Sequence, residues 1–162
     1  MIIRDAVEED LPGILTIVND VIAASTAIWR ERPETPEERR AWLVERQSRG
    51  FPVLVAVDPT GVLGFSSYAG FRSAEGYRHS VEHSVHVRGD TRGRGVGTAL
   101  MHDLFRRAPA NDVHVMVGGI DGANSESLRF HARLGFEEVA HFREVGRKFG
   151  RWLDLVCVQR LF

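Results

Sequence analysis

The sequence predicts an α+β domain in which a mixed β-sheet is covered by helices, and three observations lead there. Apolar residues recur with a period near 3.6 in some stretches and near 2 in others, so helices and strands both form. The two patterns interleave in the order β-α-α-β-β-β-α-β-α-β-β, which a helix-covered mixed sheet satisfies. The third observation is size: 162 residues, 43% hydrophobic and 27% charged. That is the length of one domain, able to bury roughly 70% of its unfolded surface without disulfides or metals. A single domain over residues 1–162 is expected, since no repeat, low-complexity tract or linker interrupts the chain.

Taken in order, Ile2–Arg4 predicts a short strand. A helix follows with Pro12 near its first turn and Leu11, Ile14, Leu15, Val18, Val21 and Ile22 on one face. Residues 25–33 break that period and read as a loop. Thr35-Pro36-Glu37-Glu38 is a capping box with proline at the first helical position, so a second helix runs from there to about Arg49. Its arginines and glutamates predict a solvated face. Pro52–Val57 and Val62–Phe71 are strands joined by the turn residues Asp58-Pro59-Thr60-Gly61, hence a hairpin. After a loop at 72–77, Ser80–Arg88 is a strand. The glycine-rich turn 89–97 then leads into a helix with Val96, Leu100, Leu104 and Phe105 inward. Val113–Val117 is a strand and Asn124–Leu134 a helix that Gly135 ends as a left-handed cap. Phe136–Glu144 and Trp152–Leu161 complete the sheet.

Composition narrows the function classes. Lys plus Arg number 21 and Asp plus Glu 22, a formal charge of −1, so the basic footprint of a nucleic-acid binder is missing. The arginines of residues 39–49 alternate with glutamates and lack an aromatic stacking pattern. No run reaches the ~18 apolar residues of a membrane span, and MIIRDAVEED has no signal-peptide core. The one cysteine, Cys157, rules out an internal disulfide and a Cys-based zinc site. A cytoplasmic domain with no membrane or nucleic-acid partner is expected.

The sharpest local feature is Arg92-Gly93-Arg94-Gly95-Val96-Gly97-Thr98, between a strand and a helix. Glycines at alternate positions let the backbone pass close to a ligand, and the helix start presents unpaired N–H groups with a partial positive charge. Together they suit a phosphate or pyrophosphate. The dinucleotide fingerprint G-x-G-x-x-G fails, because counting from Gly93 its last position is Thr98, and no G-K-[ST] of a P-loop is present. The plain alternative is an ordinary glycine turn before a helix.

Arg92-x-x-Gly95-x-Gly97 resembles the [QR]-x-x-G-x-[GA] acetyl-CoA loop of the GNAT N-acetyltransferase superfamily. Asn124-x-x-Ser127-x-x-x-His131-x-x-x-Gly135-Phe136 resembles the signature of the helix that follows in that family. Further stretches resemble one branch, the phosphinothricin and methionine sulfoximine/sulfone N-acetyltransferases. These are residues 26–29, Phe71-Arg72 with Glu75-Gly76, residues 81–87 and residues 148–152. The resemblance spans essentially the whole chain. It implies the GNAT fold (three layers, a mixed and mostly antiparallel sheet flanked by helices), acetyl-CoA as donor, a small amino-acid acceptor and a homodimer.

Glu82 is a carboxylate in an otherwise apolar strand, where alternation sets Glu82, Ser84 and His86 on one face and Val81, His83, Val85 and Val87 on the other. An ammonium must lose a proton before it attacks a thioester, and a positioned carboxylate can take it. The resemblance makes Glu82 that base; an edge-strand glutamate in water is the alternative. His83 and His86 fall on opposite faces, so they cannot share a metal ion, and no metal is expected.

By resemblance, Glu82, His83 and Ser84 border the acceptor pocket with Thr26, Trp29, Arg72, Ser73 and Ala74. Backbone groups of Val85, His86 and Val87, the loop Arg92, Gly93, Arg94, Gly95, Val96, Gly97 and Thr98, and Asn124 and Ser127 meet acetyl-CoA. Arg72 suits bidentate grip of a carboxylate, or is a surface arginine. Asn124 is equally a helix N-cap, and both roles are compatible. His131 stands where many family members carry a tyrosine that protonates the departing thiolate; a packed or solvated histidine is the other reading. The Lys148–Trp152 turn joins the pocket, from the same or a second subunit. Ser73-Ala74 replaces a bulkier pair common in the branch, which predicts a roomier pocket. Cys157 reads as core packing.

The expected activity is direct acetyl transfer from acetyl-CoA to the α-amine of a small L-amino acid of the methionine sulfoximine, methionine sulfone or phosphinothricin type. A protein N-terminus or another amine as acceptor, and a non-catalytic acetyl-CoA-binding module, are the rivals.

Overall fold

The computed structural model describes all 162 residues. Seven strands form one sheet in the order β1-β2-β3-β4-β5-β7-β6. They are β1 (Ile2–Asp5), β2 (Val53–Asp58), β3 (Gly61–Gly70), β4 (Ser80–Val87), β5 (Val115–Asp121), β6 (Glu137–Lys148) and β7 (Arg151–Leu161), with helices α1 (Leu11–Ala24), α2 (Pro36–Ser48), α3 (Val96–Arg107) and α4 (Ser125–Arg133). Every neighbouring pair is antiparallel except β4 and β5, which run parallel. The fold is the mixed, mostly antiparallel sheet between helical layers that the sequence predicts.

Strand β2 shows how the layers arise. Val53 and Val55 face α1 and α2, while Leu54 and Ala56 face α3, and all four are buried. A strand buried on both faces reads as a continuous apolar run. Helix α1 buries Ile14, Ile17, Val18, Val21 and Ile22 against that first face. Ile17 takes the inward place expected of Leu15, which is only half-buried. Each fully buried side chain of this kind contributes roughly 1.5–3 kcal/mol relative to exposure. Helix α3 buries Val96, Leu100, Leu104 and Phe105 as predicted, with Met101 added.

The local signals hold at the helix ends. Thr35 Oγ1 accepts from Glu38 N–H at 3.2 Å and the Glu38 carboxylate accepts from Thr35 N–H at 2.9 Å, closing the capping box. Gly135 has φ +82°, the left-handed cap. One helical face departs from expectation: Arg39 on α2 is buried, paired with Glu34 and lying 4.3 Å over the Trp42 ring, so this face is not wholly solvated.

Two strands differ from their predicted spans. β5 starts later than Val113 and runs on to Asp121, because its ladder with β7 continues to Asp121↔Leu155 through Gly118 and Gly119. Paired glycines weaken strand propensity and hide that extension. β6 reaches Lys148 through two irregular registers, at Glu138/Ala140 and Phe142/Gly146, so no clean alternation marks it. The turn that follows is only Phe149-Gly150, both with positive φ (51° and 72°), the conformation of a tight hairpin. No helix is long and apolar enough to cross a membrane.

Candidate active site

The site exists because one ladder stops early. β4 and β5 pair only at Ser80↔Val115, Val81↔Met116 and Glu82↔Val117, yet β4 continues to Val87 and β5 to Asp121. Beyond Glu82 the two strands separate, leaving a wedge in the sheet. The phase of the ladder with β3 fixes what faces it. Phe71 N–H donates to the Ser80 carbonyl at 3.0 Å and Arg88 N–H to the Leu63 carbonyl at 2.7 Å, with continuous register between. Even-numbered residues of β4 therefore bond to β3, and His83, Val85 and Val87 turn their backbone groups toward the wedge. The amide and carbonyl of His86 face Phe65 of β3, while the residue still borders the cavity in the wedge.

A cavity of about 300 Å³ fills the wedge, lined by residues 82–86 of β4, 118–121 of β5, Asn124, Ser127 and His131 of α4, and Ala27 and Ile28 of the first loop. A second cavity of about 300 Å³ adjoins it, lined by Arg46, residues 67–70 of β3, Glu82, His83 and Ser84. Glu82 borders both. No carboxylate partner or cation bonds its side chain, and burial pushes its carboxyl above the ordinary 4.5. Glycine makes the room: a Cβ on Gly119 would lie 3.4 Å from Glu82 Oε1, and one on Gly118 2.9 Å from His83 Nε2. The glycine pair inside a strand was the available sequence signal for this.

The His83 ring turns away from Glu82 and Ser84, as alternation requires, and is buried on the α4 side between His131 and Phe136 (centroids 5.1 Å from each). Burial, with smaller repulsion from His131 and His86, pulls its pKa down to about 3. His86, beside Phe65, is held at about 4 by burial and then by the Arg39 charge. His131 is buried, and burial lowers its pKa against the opposing hydrogen bond to Ser127. Its Nδ1 lies 2.8 Å from the Ser127 carbonyl. A carbonyl only accepts, so Nδ1 carries the proton and the buried Nε2 is left as an unpartnered acceptor.

Asn124 caps α4, accepting from Ser127 N–H at 3.0 Å, and also lines the wedge. Thr26 hydrogen-bonds the buried carboxylate of Asp121, which also accepts from Ala123 N–H at 3.0 Å. Asp121, which sequence reasoning missed, thus ties the first loop to the end of β5; its Asp-Gly turn was the signal. The Trp29 indole packs against Gly146 of β6, where an added Cβ would fall 2.2 Å from it. Arg72, Ser73 and Ala74 are exposed beyond β3, outside the residues lining either cavity, and the Arg72 guanidinium lies 5.1 Å over the Phe71 ring.

Of the Lys148–Trp152 turn, Lys148 alone is buried and committed within its own subunit. Lys148 is fully buried inside its own chain, and Nζ donates to the carbonyls of Ile22, Ser25 and Ile28 at 2.6, 2.7 and 2.7 Å. It terminates α1 and pins the loop bearing Thr26 and Trp29, instead of facing a ligand. Trp152 is 59% exposed on the outer hairpin.

The glycine turn sits at the start of α3. Gly93 and Gly95 take φ +74° and +79°, and Gly95 is the N-cap with no side chain filling that role. Arg92, Arg94 and Thr98 are exposed there, and no acidic residue occupies the first turn. Buried Thr91 anchors the loop, its hydroxyl 2.8 Å from the Arg88 carbonyl. Gly97 lets Phe130 of α4 and Val87 of β4 close in, at 3.4 and 3.6 Å from where its Cβ would be. Open N–H groups, two free guanidinium groups and an adjoining backbone wedge fit a diphosphate carried on an extended, amide-bearing arm. No cluster of three or more His, Cys, Asp or Glu side chains is gathered to hold a metal.

A sheet split between two parallel strands, with a glycine loop opening the next helix, defines an acyltransferase architecture. The chain belongs to the acetyltransferase (GNAT) family, whose model matches residues 15–136. It is 51% identical over 158 residues (97% of this chain, 92% of the relative) to the L-methionine sulfoximine/L-methionine sulfone acetyltransferase of Pseudomonas aeruginosa. Among solved structures it is similar to a ribosomal-protein-alanine N-acetyltransferase from Brucella melitensis, with TM-score 0.98, 44% identity and all of both chains covered. It is also similar to a phosphinothricin acetyltransferase from Sinorhizobium meliloti in complex with acetyl-CoA, with TM-score 0.95, 34% identity, and 99% of this chain and 88% of that one covered.

Proposed function

We propose that the protein transfers the acetyl group of acetyl-CoA to the α-amine of a small L-amino acid of the methionine sulfoximine, methionine sulfone or phosphinothricin type. The observation that carries this is Glu82, a carboxylate without a counter-ion at the junction of two cavities. One cavity runs along the open backbone of the wedge and suits the donor; the other, on the α2 side, suits the acceptor. Acetyl-CoA supplies an activated acetyl thioester.

Residues 92–98 would hold its diphosphate through the N–H groups at the start of α3, with Arg92 and Arg94 adding charge. The open backbone groups of Val85 and Val87, with Asn124 and Ser127, would line its arm. Glu82 accepts a proton from the acceptor ammonium, freeing the amine lone pair, a contribution of ~10²–10⁴-fold. A wedge-facing N–H of β4 would donate to the thioester oxygen as negative charge grows there. The single proton of His131 is committed to Ser127, which supports a neutral, positioning role over proton donation to the leaving thiol.

A protein N-terminus is the second reading, favoured by likeness to the Brucella structure. Exposed Val139, Phe142, Val145, Phe149 and Trp152 along the β6–β7 edge hairpin support a homodimer through that face, and the unpaired Cys157 suits the cytoplasm. The test is thiol release from acetyl-CoA with a panel of L-amino acids, including the three named, against short peptides. Turnover confined to free amino acids is expected; turnover confined to peptides overturns the proposal.

A further inference from the structure

Arg46 lies on α2, in the segment whose arginines the sequence assigns to a solvated face. Its side chain is only 23% exposed. Nη1 bonds the Glu45 carboxylate at 2.5 Å, and the guanidinium stands 5.9 Å from the Trp42 ring, so the group is held in place. The remaining edge of the fork, Nε with Nη2, bonds nothing, and Nε is a buried donor without a partner. A buried charged N–H left unbonded is costly and calls for an acceptor. That edge is one of the two faces on which an arginine takes a carboxylate in bidentate fashion.

The cavity supplies the rest. Arg46 is the one permanent cation among its lining residues and Glu82 the one carboxylate. A free α-amino acid carries an ammonium and a carboxylate on one carbon, and a cavity with one anion and one cation matches that pair. Arg72, the sequence's candidate for the carboxylate, is exposed over Phe71 and Tyr77 and lines neither cavity. Arg49 is spent on Glu45, at 2.9 Å, and on the face of Phe51.

We propose that the Nε–Nη2 edge of Arg46 binds the α-carboxylate of the acceptor, making Arg46 the residue that selects free amino acids over amines lacking that carboxylate. This rests on the amino-acid acetyltransferase reading above. It assigns to α2 a recognition role that the glycine-loop and α4 motifs do not contain.

The experiment compares methionine sulfone with its decarboxylated counterpart, 3-(methylsulfonyl)propylamine, as acceptors for wild type, R46M, R46K and R72M. The readout is the ratio of kcat/KM for the two acceptors within each protein, which does not depend on the fraction folded. Wild type is expected to favour the amino acid. R46M should lower its kcat/KM about 10- to 100-fold, mainly through KM, with the amine little changed. R46K, which keeps charge but not the fork, should lose less, and R72M should keep the wild-type ratio. An unchanged ratio in R46M, or a collapse confined to R72M, overturns the assignment while leaving the transferase reading intact. Failure of wild type on both acceptors sinks the parent reading, and this one with it.

Discussion

The imidazole of His83 is stacked on that of His131, with centroids 5.1 Å apart and planes 29° from parallel. The contact joins a strand to a helix across the wedge, and both rings are buried. Two adjacent rings in so dry a place remain uncharged, because either charge would be desolvated and would repel the other.

Stability is therefore expected to fall in acid. His83 and His86 titrate near 6.5 when unfolded but at about 3 and about 4 in the fold. Between those values the unfolded chain binds more protons, so their contribution is intact above pH 6.5 and drains away as pH drops toward 4 and then 3. One such histidine gives a slope of about 1.4 kcal/mol per pH unit within its window. Denaturant melts from pH 7.5 to 4 should show this, and His83→Phe should reduce the slope by about one proton.

Glu82→Gln should lower kcat by about 10²–10⁴-fold while leaving acetyl-CoA affinity unchanged. Isothermal titration beside steady-state kinetics checks this, and a loss of binding with full turnover by the bound enzyme would refute it. In wild type, kcat/KM should rise with pH through a pKa above the ordinary 4.5 of a glutamate. A raised acid pKa also means that the fold loses stability as pH rises through it. The glutamine variant should accordingly be slightly more stable than wild type at neutral pH.

Lys148→Met removes the ammonium from the carbonyls of Ile22 and Ser25 at the end of α1 and of Ile28 in the loop beyond. Leaving them unpaired should cost on the order of 3 kcal/mol, read as a lower denaturation midpoint. Because the same bonds hold the loop of Thr26 and Trp29, acceptor KM should rise more than acetyl-CoA Kd.

Gly95→Ala forces an L side chain to φ +79°, a strain of roughly 1–2 kcal/mol. If the loop relaxes to relieve it, the N–H groups at the start of α3 turn from their ligand. Acetyl-CoA Kd should rise about tenfold with the acceptor KM little changed. Unaltered affinity would remove the loop from the binding site.

The order and kind of the elements were legible in the sequence, because helix caps, hairpin turns and apolar periods are local signals. Thr35 with Glu38, Gly135 after α4 and the glycine turn before α3 all stand where those signals set them. Glu82 was legible too, as a carboxylate out of keeping with its strand. Other features depend on residues far apart in the chain. The wedge requires β4 and β5 to stop pairing after Glu82↔Val117, and no local pattern around either residue encodes that. The burial of Lys148 against residues more than a hundred positions away, the stacking of His83 on His131, and the place of Arg46 beside Glu82 arise only when helices settle on the sheet. A charged side chain reads as solvated until packing removes the water around it, and that decision belongs to the tertiary structure.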